Sequence, residues 1–350
     1  MQYRTNPERI ELHRQWWERT NRERLALIYT PLPHPYGGLD VDVPVSEIAS
    51  RKRANALVEY QVPKDVLVTG YVDFATALIP GLLGAGFRCD QHTSWAIPAV
   101  QSIRDVSIPP FNPDHPLFQS FIERVKAVAA GWSWETYLPA THAYLGPLDV
   151  LAGVLGPERL AFDLYEEPEL VRARAMDAAA FLEAMARYEL DILRQAGVLG
   201  GTPCAFNYWL PGDGFLFSED FCALVSRRHY EQFFLEADTA FCQTVDSAFL
   251  HLHSAGFQCL PAILQNPYLR GLELANDINN TDLQKLIDAG RLVQEHNLPL
   301  QVSSWEHPLE EAEIERLLSA LDPRGLIVAL QARSLEEAER LYDKIKTWPS

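Results

Sequence analysis

Ser247–His253, SAFLHLH, is the stretch whose reading decides the fold. A short apolar run ends in His251-Leu252-His253, and a Ser-Ala-Gly turn leads from it into a helical pattern. Alternate residues of a strand point to the same side, so His251 and His253 share one face at the place where the strand runs out. Downstream the unit recurs. Residues 271–276 (GLELAN) read as a strand and 281–296 as an amphipathic helix with Asp282 in its first turn. Residues 298–305 (LPLQVSSW) form the next strand, followed by an acidic helix over 309–321. A third strand, 325–330 (GLIVAL), precedes Ser334, which is set as the N-cap of a helix over 335–348. Apolar runs alternating with 3.6-period helices define βαβ units on a parallel sheet. In a closed barrel of such units the strand C-terminal ends carry the chemistry. That puts His251, His253, Glu273, Ser303, Glu306, His307, Gln331 and Arg333 near one rim.

The bulk numbers leave room for this. A chain of 350 residues holds two domains of roughly 150 residues, or one α/β barrel of about 250 with additions. An apolar content of 47% supports a well-buried interior. The net charge of −17 disfavours nucleic acid and anionic membranes as partners. Five cysteines without a CxxC motif point to a reducing compartment and buried thiols, with Cys259 in the core. The N-terminus has no apolar leader, and nowhere do about 18 uncharged apolar residues run together, so a soluble cytoplasmic protein is expected.

Toward the N-terminus, 6–24 reads as a helix, 24–30 (RLALIYT) as a strand and 31–38 as a Pro/Gly-rich loop carrying His34 and Tyr36. Residues 46–60 are helical, 66–69 extended, and the apolar, proline-interrupted 73–86 is expected to pack over the barrel mouth. Further strands are predicted at 132–138 and 200–209, one long helix over 157–193, a loop over 211–217 and a helix over 219–241. The polarity shift near residue 110 marks 1–110 as an N-terminal elaboration with the first strands, within a single domain spanning 1–350.

Five segments resemble the uroporphyrinogen decarboxylase superfamily, in its uroporphyrinogen-decarboxylase-like branch. They are ALIPGLLGAGF from Ala77, LGPLDVLAGVLG from Leu145, LAFDLYEEPELV from Leu160, SEDFCALVS from Ser218 and AFLHLHSAGFQCLPAILQNPYLRGLEL from Ala248, in the family's order. The resemblance implies an α/β fold, a TIM-like (β/α)8 barrel with N-terminal helical and loop additions. The decarboxylases' arginine-bearing segment after the first strand is replaced here by IYTPLPHPYGG. Their active-site tyrosine falls near Gly153, their late histidine near Gln331 or Arg333, and their catalytic aspartate at Asp73. A polycarboxylate substrate without its arginine clamp is poorly held, which disfavours porphyrinogen decarboxylation. The related methyltransferases, which pass methyl groups between corrinoid proteins and thiols such as coenzyme M, bind zinc through His-x-Cys and a late cysteine. Here His251-x-His253 and Gln331-Ala332-Arg333-Ser334 stand at those places.

Read for chemistry, His251 and His253 are candidate ligands of Zn2+ or another divalent metal. Glu273 is the third ligand or a general base, and Glu306 or His307 is the alternative third ligand. The alternative without metal makes one histidine a hydrogen-bonded mouth residue and the other a substrate contact. Glu273 flanked by Leu272 and Leu274 is costly unless paired, either in the site or with Arg270 or Arg291. His142 is a candidate catalytic or substrate-contacting residue, or a helix cap, and Asp73 a candidate acid/base. Tyr208, Trp209, Glu306, His307 and Arg333 are candidate substrate-binding residues, Arg333 as an anion contact or a salt bridge to Glu336 or Glu337. The leading expectation is a metal-assisted methyl or other group transfer on a small molecule, with a corrinoid protein as carrier. Metal-free decarboxylation through Asp73 and a non-catalytic tetrapyrrole-binding barrel are the alternatives.

Overall fold

The apolar runs form strands largely where their spacing places them. The computed structural model describes residues 4–90, 93–198, 200–277, 282–305 and 308–349. In chain order the strands are β1 (Leu25–Tyr29), β2 (Thr69–Gly70), β3 (Gly86–Cys89), β4 (Ser94–Ile97), β5 (Leu138–Pro139), β6 (Ala143–Leu145) and β7 (Gly201–Cys204). They continue with β8 (Tyr208–Pro211), β9 (Gly214–Ser218), β10 (Ser247–His253), β11 (Leu269–Ala275), β12 (Leu300–Ser304) and β13 (Leu326–Gln331).

Seven of them make one sheet in the order β1-β13-β12-β11-β10-β9-β6, with every pairing parallel. The last three βαβ units therefore lie side by side as their sequence period requires. Their helices run over Leu283–Glu295, Glu311–Ala320 and Leu335–Thr347. Asp282 caps the first of these through Gln284 N and Lys285 N, and Ser334 caps the last through Glu337 N. The fold is α/β with a parallel sheet of the TIM-like kind. Among the described residues β2 and β5 pair as a separate parallel couple, tied to the main sheet at single points such as Asp65 N to Ala26 O, 2.8 Å.

Five expectations change, one being the predicted helix 219–241, which is broken into a 3-10 turn at Asp220–Leu224 and helices Arg227–Phe233 and Leu235–Cys242. Residues 211–217 do not form a loop: β9 is a fully buried central strand that follows a two-residue turn at Gly212-Asp213. The predicted strand 200–209 is broken into the antiparallel ribbon β7–β8, because Phe206 and Asn207 adopt left-handed backbone at φ 61° and 72°. The helix 157–193 is two helices, Pro157–Glu166 and Pro168–Gln195, because Pro168 removes an amide donor at the junction. Of the predicted strand 132–138 only Leu138 is extended into a ladder. Four of the five cysteines are buried, Cys259 among them, and Cys89 is exposed. No helix of the described residues is long and apolar enough to cross a membrane.

The N-terminal helix Asn6–Trp17 seals one end of the sheet with Trp16 and His13, both fully buried. His13 Nδ1 donates to Arg9 O at 2.9 Å, and burial pushes its imidazole down to about 4. A folded value below the unfolded one of about 6.5 means that the unfolded chain takes up the proton first. The stability tied to neutral His13 is complete above pH ~6.5 and is lost as pH falls toward 4, by roughly 3 kcal/mol at most. Urea unfolding at pH 7 and pH 4.5 should show a smaller loss in His13→Leu than in the parent, and an equal loss in both would refute the assignment.

Candidate active site at the carboxyl edge of the sheet

Strand register assembles the site. In the parallel ladders His251 pairs laterally with Glu273 on one side and Ser218 on the other, and Glu273 pairs in turn with Gln301. A row of polar side chains thus crosses β12, β11, β10 and β9 on one face. Glu273 is 2% exposed, and a carboxylate so placed requires donors to offset its lost hydration. It has three: Tyr208 OH at 2.9 Å and His251 Nδ1 at 3.0 Å on Oε2, and Gln301 Nε2 at 3.1 Å on Oε1. Burial works to raise the Glu273 carboxyl, but His251 and these hydrogen bonds hold it below the ordinary glutamate value. Neither Arg270 nor Arg291 pairs with it; they donate to Pro267 O and Ala320 O instead.

One layer further out stands His253. Its Nδ1 makes a short hydrogen bond to Asp277, which also accepts from Ser254 Oγ at 2.9 Å. The two imidazoles meet edge to face with Nε2 to Nε2 at 3.0 Å. The result is a continuous chain, Glu273–His251–His253–Asp277, with a carboxylate at each end. Each carboxylate takes an Nδ1 proton, which leaves both Nε2 atoms turned toward one another. Two nitrogens cannot meet at 3.0 Å without a proton or another electrophile between them. Burial opposes charge on His253, yet the Asp277 hydrogen bond and the nearby Asp220 and Glu273 carboxylates raise it to about 9. At neutral pH His253 holds that proton and donates it to His251. Asp220 Oδ1 lies 3.6 Å from His253 Nε2, on the open side.

These groups face a cavity of about 450 Å3 whose lining includes Tyr29, Tyr71, Asp73, Phe74, Tyr144, Phe206 and Trp305. Tyr29 OH is tied to Ser303 Oγ at 3.0 Å. Asp73 is raised by burial; its Oδ1 accepts Ala75 N at 2.8 Å, which together with Lys52 works the other way. Lys52 itself pairs with Asp40 at 2.7 Å. His142 also lines the cavity, and its Nδ1 is held at 2.8 Å by Glu189 from the long helix Pro168–Gln195. Tyr144 OH reaches the same Glu189 oxygen at 2.7 Å. His142 is therefore a cavity residue with a buried carboxylate behind it, not a helix cap. Among the described residues five non-glycine residues have positive φ, and three of them, Ala75, Phe206 and Asn207, line this cavity. Left-handed backbone costs an L-residue about 1–2 kcal/mol, so the chain concentrates its strain at the mouth.

A reciprocal latch holds Asp220 beside His253. Glu219 accepts Leu148 N and Asp149 N at 3.3 and 3.1 Å, capping the helix Pro147–Leu155, while Asp149 accepts Asp220 N and Phe221 N at 2.7 and 2.8 Å. Gly146 is needed for this approach, since a Cβ there would stand 2.0 Å from Glu219 Oε1. The segments LGPLD and SEDF are thus two halves of one joint. Burial and the neighbouring carboxylates push both Asp149 and Glu219 well above the usual carboxylate range.

Several expected residues stand elsewhere. Tyr208 is wholly buried and supports Glu273 from behind without lining the cavity. Trp209, the next residue on the strand, points away and packs with Ile10, Leu67 and Leu138. Arg333 is exposed at the start of the last helix, where its backbone N donates to Glu337 at 2.7 Å, and it does not line the cavity. Glu273 lies behind His251, on its Nδ1, and so does not stand beside the two histidines as a third ligand. Glu306 and His307 lie outside the described residues. Gly153 has no room for a side chain, since a Cβ would meet Pro80 at 2.4 Å, so the decarboxylases' tyrosine has no counterpart there. The sequence reading missed Tyr29, Glu189, Phe206, Asp220 and Asp277. Asp277 alone had a legible signal, two residues past the end of β11.

No family model matches the chain, and no curated protein sequence does. Among solved structures, a methyltransferase from Methanosarcina mazei superposes with a TM-score of 0.66 at 12% identity, covering 97% of this chain and 98% of that one. At that identity the likeness shows the fold alone, an α/β architecture shared over nearly the full length of both chains.

If Glu273 is ionised and depends on its three donors, Tyr208→Phe should cost about 1–3 kcal/mol in urea unfolding, by leaving a buried carboxylate short of a partner. An unchanged midpoint would mean that Glu273 is protonated and needs no such donor.

Proposed function

We propose that this chain is an enzyme of methyl-group transfer on a TIM-like barrel closed through β2 and β5, with a divalent metal held between His251 and His253. The observation that carries the reading is the pair of Nε2 atoms 3.0 Å apart, each imidazole braced on its far nitrogen by a carboxylate. About 3 Å separates two nitrogen ligands of a single ion when the metal–nitrogen distance is about 2.0–2.1 Å, and carboxylate-braced imidazoles are the usual support of such sites. Asp220 is the nearest further donor. Among the described residues no three His, Cys, Asp or Glu side chains already converge as a ligand set, so binding requires Asp220 or a substrate atom to complete the shell.

Zinc held there supplies a Lewis acid for a nitrogen or oxygen ligand, a harder site than a thiolate-rich one. The protein's own part is to fix both imidazole tautomers, to exclude water with the Phe206 and Trp305 rings, and to keep Asp73 and His142 on the cavity wall. The shared fold of the Methanosarcina mazei methyltransferase supports transfer of a methyl group over other chemistries, and a corrinoid protein is the carrier proposed for it. A metal-free acid–base role for Asp73 is the second reading, favoured by the burial that raises its carboxyl. The lack of lysine or arginine among the described lining residues speaks against a carboxylated substrate for it.

Zinc must displace the proton shared by the two histidines. Calorimetric titration at pH 7 in buffers of differing ionisation enthalpy should therefore report stoichiometric binding with release of about one proton per ion. His251→Ala should abolish it. A folded protein that takes up no zinc, or binds it equally well without His251, would remove the metal from the reading.

A further inference from the structure

The cavity's chemistry narrows what it accepts. Three of its lining residues are carboxylic acids, Asp73, Asp220 and Glu273, and six are aromatic, Tyr29, Tyr71, Phe74, Tyr144, Phe206 and Trp305. No lysine or arginine stands among the described lining residues. Lys52, behind Tyr71, is already tied to Asp40 at 2.7 Å. Glu273 has its own donors, but the only described hydrogen bond to the Asp73 carboxylate is from Ala75 N in its own turn, with more distant charges beyond. An anionic ligand meets repulsion at Asp73, because the positive charge on His253 is already balanced by Asp277 and Asp220. A neutral apolar one strips water from Asp73 and Asp220 and returns nothing. A compact cation with an apolar skin meets both needs, because aromatic faces attract it and carboxylates offset its charge. A second observation agrees: His142 is 5% exposed, and its Nε2 is the one buried side-chain nitrogen without a partner among the described lining residues.

We infer that the cavity binds a small methylated ammonium ion, with Asp73 as counter-ion, the aromatic rings as its cage and His142 Nε2 as acceptor for an N–H where the ion carries one. The role, though not the binding, rests on the methyl-transfer reading. In that role the C–N electron pair stays on nitrogen, which leaves as the neutral amine with one methyl fewer. The methyl carbon is taken by the electron pair of the acceptor, the corrinoid carrier proposed above, and the positive charge of the ammonium passes to it with the methyl group.

Calorimetry on the full-length protein with trimethylammonium and tetramethylammonium chloride tests this, with tert-butanol as neutral isostere and acetate as anion. Saturable binding of the ammonium ions is expected, with at least about tenfold weaker binding of tert-butanol and acetate. Asp73→Asn should weaken trimethylammonium by about tenfold. Asp220→Asn, at the half-exposed rim, should weaken it severalfold and serves if the first variant does not fold. Equal binding of tert-butanol, no binding of either ion, or a folded variant pair with unchanged affinity would overturn the inference. Ammonium binding without zinc uptake would sink the metal reading and leave this one standing; zinc uptake without ammonium binding would do the reverse.

Discussion

A carboxylate buried in the middle of an apolar parallel strand governs the rest of this molecule. Glu273 sits between Leu272 and Leu274, and an ionised group there is tolerated only with hydrogen bonds that replace its water. Three elements supply them: Tyr208 from β8, His251 from β10 and Gln301 from β12. The consequence travels outward, because the bond to Glu273 fixes which His251 nitrogen bears a proton. Its other nitrogen is thereby committed to His253, and His253 to Asp277. One buried charge orders four side chains and aims two imidazole edges at the same point.

The surrounding structure is built to keep that point open but protected. The Asp149–Glu219 latch joins the turn after β6 to the turn after β9 and leaves Asp220 beside His253. Phe206 and Asn207 are held left-handed, with Asn207 O accepting Leu67 N at 3.1 Å and its Oδ1 accepting Thr69 Oγ1 at 3.0 Å. That strain sets the Phe206 ring against His251 at 5.4 Å between centroids. On the opposite wall Glu189 does for His142 what Glu273 does for His251. The cavity therefore has three imidazoles backed by carboxylates, two at the edge of the sheet and one against a covering helix.

Three features look functional in the sequence and serve otherwise in the fold. In the segments LGPLD and SEDF the Asp149 and Glu219 carboxylates cap each other's helices, and only Asp220 faces the cavity. Tyr208 ends a strand as a substrate contact would, yet its hydroxyl is consumed by Glu273. Arg333 fails as an anion contact because the final turn leaves it in solvent. In each case the residue type suited the chemistry, and only the direction of the side chain differed.

Period and alternation determined the last three βαβ units, their two capping residues, and the pairing of His251 with His253, because these depend on neighbours a few positions away. The same local logic exposed Glu273 as anomalous, since a charge in an apolar run stands out without any coordinates. What the sequence could not carry was register across strands and the path of the chain between them. Asp277, Asp220 and Glu189 reach the site from 24, 33 and 47 positions away from their histidine partners. Local spacing marks only Asp277, two residues past the end of β11. Burial of β9 behind the Gly212-Asp213 turn and the left-handed break at Phe206-Asn207 were decided by packing as well, since both lie within largely apolar sequence. Tertiary structure alone chose which polar groups would share a desolvated space, because the energy of that choice exists only once the strands are side by side.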